Sequence, residues 1–229
     1  MNKIQLWVSE LKKMGLIRFI NEKYFNARYK KIFALAGTEY PDFTGRLNIT
    51  SAESLHNDAK KNQAAPYYSL YKAFLKLPLK PPDINFLDIG CGAGRALNFA
   101  MLRGCKSVTG VELEEQAVTV ATQNCIRMQQ AGYNVDFSIT KMDAALYEVP
   151  ENINTVYLFN PFGAKTLHAV LNNIIDSARR YHKKIYIIYL EASYRKETDE
   201  HPELSLLYES RFNKKNTFDV VIYSTNNVQ

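Results

Sequence analysis

Tryptophan occurs once in this 229-residue chain, cysteine three times and histidine four times. Three widely spaced cysteines make neither the even-numbered framework of a disulfide-stapled domain nor a zinc pattern. One of them, Cys91, lies inside a glycine-rich turn, so a reducing, cytoplasmic setting is expected. The histidines are scattered, and no metal site is expected. No apolar run approaches the roughly 20 residues of a membrane span, so no membrane partner is expected, and the N-terminus lacks the apolar core of a secretory signal. Internal repeats and low-complexity tracts are absent. What remains is ordinary globular composition, 46% hydrophobic and 23% charged. The length suits one domain with an extension, divided here into residues 1–65 and 66–229.

The net charge of +6 is unevenly placed. Residues 1–36 hold eight Lys/Arg against two Asp/Glu, and the remainder holds twenty-one of each. Ile4, Trp7, Val8 and Leu11 recur at helical spacing, and residues 16–36 predict a longer helix stopped by Gly37. That helix interleaves Arg18, Lys23, Arg28, Lys30 and Lys31 with Phe19, Tyr24, Phe25, Tyr29 and Phe33. Such a mixture can bind nucleic acid, but the commoner outcome is a cap helix with a solvated basic face. Residues 37–65 are polar and turn-rich, a linker or lid. Pro66 then suits a helix start, with Tyr67, Leu70, Tyr71 and Phe74 on one face.

The centre of the chain is Phe86-Leu87-Asp88-Ile89-Gly90-Cys91-Gly92-Ala93-Gly94-Arg95. It predicts a buried strand over 84–89, an acid, a glycine turn and a helix start. Glycine allows positive φ and close approach of a ligand to the backbone. A turn that feeds a helix N-terminus gathers free N–H groups that favour an anion. A dinucleotide fingerprint would need its third glycine where Arg95 stands, which disfavours a dehydrogenase. Residues 107–112 predict the next strand, ending in Glu112, 24 residues beyond Asp88. A carboxylate there can accept both ribose hydroxyls of a nucleoside ligand. Further strands are expected at 134–139, 153–159 and 184–190, with helices between. Residues 206–212 and 217–224, flanking Asn213-Lys214-Lys215-Asn216, predict a hairpin.

Strand-Asp-x-Gly-x-Gly-x-Gly resembles motif I of the class I, Rossmann-like methyltransferases that use S-adenosylmethionine (AdoMet), and the element order from Pro66 to Ser224 is similar to theirs. The resemblance implies an α/β, doubly wound, seven-stranded sheet. Five of its strands are parallel and a C-terminal antiparallel hairpin follows, beside an N-terminal helical extension. It also implies that Gly90, Cys91, Gly92 and Gly94 take the methionine end of AdoMet, and that Asp88 holds its amino group. Glu112 would bind ribose, Leu113 would pack on adenine, and Asp143 with Ala144 would meet the adenine amino group. Ala65-Pro66-Tyr67-Tyr68 resembles the helix start that closes over the methionine end in some lysine methyltransferases, which makes Tyr67 a candidate. Asn160-Pro161-Phe162 resembles motif IV of amino-methyltransferases, Asp/Asn-Pro-Pro-Tyr/Phe, with Phe162 in the second proline's place. It implies that Asn160 and the Pro161 carbonyl orient an amine and that Phe162 walls the site. The expected function is N-methylation of an amine such as a protein lysine. The alternatives are a nucleic-acid base methyltransferase and a non-catalytic module that keeps the fold.

Overall fold

The computed structural model describes residues 5, 10–11, 15–41, 58, 64–211 and 218–226. Most of the helix expected around Ile4 to Leu11, most of the expected lid and the turn at 213–216 lie outside the described residues. Strands β1 (Asn85–Ile89), β2 (Ser107–Glu112), β3 (Asp136–Lys141), β4 (Thr155–Phe159), β5 (Tyr186–Leu190), β6 (Leu204–Arg211) and β7 (Phe218–Thr225) form one sheet. Its order is β3-β2-β1-β4-β5-β7-β6. Strands β1 to β5 run parallel, and β7 is antiparallel to both β5 and β6. Each predicted strand falls within two residues of its observed bounds.

The inner strands bury both faces, so they read as continuous apolar runs rather than as an alternation. Phe86, Tyr157, Ile188 and Ile222 point to one side, under α1 (Leu16–Leu35), α2 (Tyr67–Lys76), α3 (Arg95–Leu102) and α4 (Glu115–Gln130). Leu87, Ile89, Val156, Leu158 and Ile187 point to the other, under α5 (Ala164–Arg180). The α5 sequence supplies Leu167, Val170, Leu171, Ile174 and Ile175 at helical spacing, all buried. The polar stretch 191–203 holds a short helix, α6 (Arg195–Asp199). It is tied to the hairpin by Tyr223, whose hydroxyl donates to Asp199 at 2.6 Å.

Helix α1 ends as its sequence predicts. Gly37 takes φ +73°, its N–H donates to the Ala34 carbonyl, and Thr38 N–H donates to that of Phe33. Phe25, Tyr29 and Phe33 are buried, while Arg28, Lys30 and Lys31 are exposed. An aromatic ladder fastens the helix: Phe25 lies 4.6 Å from Tyr71, and Tyr29 and Phe33 lie 5.3 and 5.5 Å from Tyr67, centroid to centroid.

Arg18 departs from the expected solvated basic face. It is buried, and it donates to Asp219 at the start of β7, to Glu22 at 2.8 Å and to Ser69 at 2.9 Å. Lys72 reaches the same Asp219 at 3.0 Å, and Ser69 donates to it at 2.7 Å. The reason is geometric: Arg18, Glu22, Phe25, Tyr29 and Phe33 lie at three- and four-residue spacing, so they share one stripe that faces the sheet.

Candidate cofactor and acceptor site

The carboxyl ends of β3, β2, β1 and β4 lie side by side, and strand order reverses between β1 and β4. Open α/β sheets bind ligands at such a switch point. Asp88, the last residue but one of β1, is buried and lies in register with Gly110 of β2 and Tyr157 of β4. Gly90, Gly92 and Gly94 follow with φ of +80°, +53° and +78°, the left-handed region that glycine occupies without strain. The turn is anchored by Gly90 and Cys91 N–H groups, both donating to the Val111 carbonyl. Gly90 is also a close approach, because a Cβ there would sit 2.6 Å from Pro161 Cβ. The Cys91 thiol is buried, and burial pushes its pKa well up. Its sulfur fills the space beside Gly110, where a Cβ would come within 2.8 Å.

Glu112 is held by main-chain donors. One oxygen accepts from Gly92 N–H at 2.8 Å, and the other accepts from Leu113 and Glu114 at 2.8 and 3.1 Å. The Met142 N–H donates to the Glu112 carbonyl at 3.0 Å, which brings the end of β3 alongside. Asp143 is buried and accepts from Ala145 N–H at 2.8 Å, capping the single turn Ala144–Leu146. On the other side of β1, Asn160 follows β4 with φ +46°, and Glu191 follows β5 with φ +47°. Left-handed non-glycine residues cost about 1–3 kcal/mol each and gather at functional sites. Asn160 donates to Ser193 Oγ at 2.8 Å, which orients its amide. Phe162 is buried in the apolar face beneath α5 and anchors this turn.

Asp58, in the segment between α1 and α2, touches the same turn. Its carbonyl accepts from Gly163 N–H at 2.8 Å, and its carboxylate accepts from Thr166 N–H at 3.2 Å, in the first turn of α5. Helix starts carry unsatisfied N–H groups, and a carboxylate there satisfies one of them. The sequence reading placed Asp58 in a linker and gave it no role.

The site therefore gathers Asp88, the glycine turn, Glu112, Leu113, Asp143, Ala144, Asn160 and Pro161 along one sheet edge, with Tyr67 at the nearby start of α2. Among the described residues, three polar atoms beside the turn are buried with no hydrogen-bond partner: the hydroxyls of Tyr67 and Tyr157 and Nε of Arg95. Buried polar groups are normally satisfied, so these atoms fit a polar ligand. A buried acid near the end of β1, next to the glycine turn, suits the ammonium of the amino-acid end of AdoMet. Asp88 would hold the ammonium, the turn would cradle the chain, and Glu112 would take the ribose hydroxyls. Sequence reading missed Tyr157, which looks like any apolar strand residue, and took Arg95 only as a mismatch to another fingerprint.

Burial pushes the Asp88 carboxyl well above the usual carboxylate range, and the Glu112 charge adds to this. A raised folded-state pKa contributes stability below the unfolded value, near 3.9, that is lost as pH rises through the folded value. Asp88→Asn, always neutral, is expected to raise the Tm of the ligand-free protein at pH 8, by about 2–4 °C per kcal/mol relieved. It is also expected to shrink the further rise that AdoMet produces. Thermal unfolding of both proteins with and without AdoMet checks this, and an undiminished ligand shift in the variant would remove Asp88 from the site.

Residues 80–226 match the family described as Methyltransferase domain. A protein of the NADB-Rossmann superfamily from Streptococcus agalactiae is similar in fold, with a TM-score of 0.50 at 17% identity over 76% of this chain and 72% of its own. An rRNA methylase from Streptococcus thermophilus has a TM-score of 0.49 at 13% identity, over 74% of this chain and all of its own. A magnesium protoporphyrin IX methyltransferase from Synechocystis, solved with bound AdoMet, has a TM-score of 0.48 at 15% identity, over 64% and 72% of the two chains. No curated protein matches the chain. The chain belongs to the methyltransferase-domain family, and it is an AdoMet-dependent methyltransferase with the class I, Rossmann-like fold. Among the described residues no helix is long and apolar enough to cross a membrane.

Proposed function

We propose that the acceptor is an amine, with a protein lysine side chain favoured over a nucleic-acid base. The observation that carries this is the Asn160-Pro161 turn: a left-handed asparagine at the end of β4, pressed against the glycine turn at Gly90. AdoMet supplies a methyl group on a positively charged sulfur, and transfer is an in-line displacement, so the protein's task is alignment. An amide oxygen and a backbone carbonyl can each accept a hydrogen bond from an amine, which points its lone pair at the methyl. A lysine has a pKa near 10.4 and must be neutral to react; at pH 7 this costs about 4–5 kcal/mol. Apolar walls lower that cost by disfavouring the charged form.

The basic N-terminal helix is the feature that favours nucleic acid. Single-strand binding pairs cations with exposed aromatic platforms. In α1 the cations Arg28, Lys30 and Lys31 are exposed together with a single tyrosine, Tyr24, whereas Phe25, Tyr29 and Phe33 face inward and offer no stacking surface. This supports the protein acceptor. Salt-sensitive binding of RNA or DNA would reverse the preference.

Asn160→Ala is expected to lower kcat about tenfold, the value of one hydrogen bond made at the transition state. AdoMet affinity should stay within about twofold of wild type, since no interaction of charge is lost. Methyl transfer to a labelled acceptor fraction, measured beside calorimetric AdoMet binding, separates the two quantities. Equal loss of both would assign Asn160 to the cofactor instead.

A further inference from the structure

Arg95, the first residue of α3, is held in an unusual setting. Its guanidinium lies between the rings of Tyr40 and Tyr67, 5.0 and 5.1 Å from their centroids. Its one hydrogen bond among the described residues is long, 3.4 Å from Nη1 to the Ala65 carbonyl. Among the described residues no group bonds the buried Nε or the hydroxyl of Tyr67, a residue with no solvent exposure. Arg95 pairs with no carboxylate among the described residues. A cavity of about 280 Å³ opens beside it, lined by Lys30, Thr38, Tyr40, Tyr67 and Arg95 with Phe33 behind. The lining holds two cations and three hydroxyls and no acid. A guanidinium presents a planar fork of donors that matches a carboxylate, and flanking rings fix its plane. The free N–H groups of the first turn of α3 add to the same preference for an anion.

We infer that Arg95 binds the α-carboxylate of AdoMet, and that the N-terminal extension builds the wall of this subsite. Asp88 precedes the glycine turn in β1 and Arg95 follows it as the first residue of α3, so the amino acid end would meet an acid at its ammonium and a guanidinium at its carboxylate. The extension is fixed there by two buried asparagines. Asn98 Nδ2 donates to the Tyr40 hydroxyl at 2.8 Å. Asn124 accepts from Glu39 N–H at 2.9 Å, and its Nδ2 donates to the carbonyls of Glu39 and Ala93. Ala93 belongs to the glycine turn, so Asn124 joins the end of the extension to the cofactor loop. Tyr29 and Phe33 of α1 then hold Tyr67 against Arg95 from behind. The inference rests on the cofactor and is independent of which acceptor is methylated.

The test is calorimetric titration of the full chain with AdoMet and with its decarboxylated form, S-adenosylmethioninamine, which differs only by the carboxylate. Wild type is expected to prefer AdoMet by about ten- to a hundredfold, the range for a charged hydrogen-bonded contact. Arg95→Met should reduce that preference to within about threefold, with the loss falling on AdoMet alone. Tyr40→Ala, which removes one ring from the guanidinium, should erode the preference part of the way. Equal affinity of wild type for the two ligands would overturn the inference without any variant, and would leave AdoMet in place as the cofactor. Equal loss of both ligands in Arg95→Met would also overturn it, making Arg95 a brace for the fold. If wild type bound neither, the cofactor assignment would fall, and this inference with it.

Discussion

Replacing Asp219 with alanine is expected to lower the Tm by about 10 °C and to release α1 from the domain. Asp219 is fully buried at the start of β7 and is the common partner of Arg18, Lys72 and Ser69. Removing it leaves the buried Arg18 without one of its two carboxylate partners among the described residues, Glu22 being the other. Breaking one side of a buried ion pair typically costs about 3–5 kcal/mol, because the uncompensated charge stays behind. Burial alone would push the Asp219 carboxyl up, but the bond and charge of Arg18, with Lys72 and Ser69, bring it below the usual carboxylate range. Its stabilisation is therefore present above the unfolded pKa and is lost as pH falls through the folded one. Glu22 runs the other way: burial raises its pKa, Arg18 opposes this, and the charges of Asp219 and Glu191 add to the rise. Its contribution is complete below its unfolded pKa and is lost as pH rises through its folded value. Thermal unfolding, with limited proteolysis to report on α1, measures the effect. A fall of less than about 2 °C, no more than about 0.5–1 kcal/mol for a domain of this size, would mean that Arg18 is solvated and the network contributes little.

Glu112→Ala is expected to weaken AdoMet binding by about ten- to a hundredfold. The ribose hydroxyls offer two donors to the carboxylate, and the same group clamps the Gly92 N–H at 2.8 Å. The variant loses both the ligand contact and a brace of the glycine turn. Glu112→Gln keeps an acceptor for the main chain and should fall between the two. 5′-Methylthioadenosine, which retains the ribose but lacks the amino acid end, should lose as much affinity as AdoMet. That pattern is opposite to the one expected at Arg95, so the two sites can be separated with the same set of ligands. An unchanged dissociation constant for AdoMet in Glu112→Ala would remove the ribose assignment.

The parts of this molecule that were legible in the sequence are local ones. Asp88 and the three glycines are contiguous, and their conformation follows from residue type. Glu112 and Asn160 were found because each ends an apolar run, and strand ends in a parallel sheet are where ligands sit. The less legible parts join distant segments. Arg18 and Asp219 are 201 positions apart, and nothing near Arg18 distinguishes it from Lys23 or Lys30. Asp58 and Thr166 are 108 positions apart, and the aspartate stands among other polar residues. The orphaned Tyr157 hydroxyl could not be read from an apolar strand, because side-chain satisfaction depends on what lies across the sheet. Charge distribution misled in one respect. A basic segment was read as one surface, whereas the fold turns one of its arginines inward and neutralises it.

Gly90 and Pro161 meet with no room for a single added carbon. The loop that would cradle the donor and the loop that would present the acceptor thus meet through the rigid ring of Pro161 set against the Gly90 backbone, with no flexible side chain as a spacer. Where two reactants must line up along one axis, the distance between their holders is set here by bond lengths and ring geometry rather than by rotamer choice. Displacement of one loop is transmitted to the other without slack. Tolerance for acceptors of different reach would therefore come from the outer rim, around Ser193, and not from the junction itself.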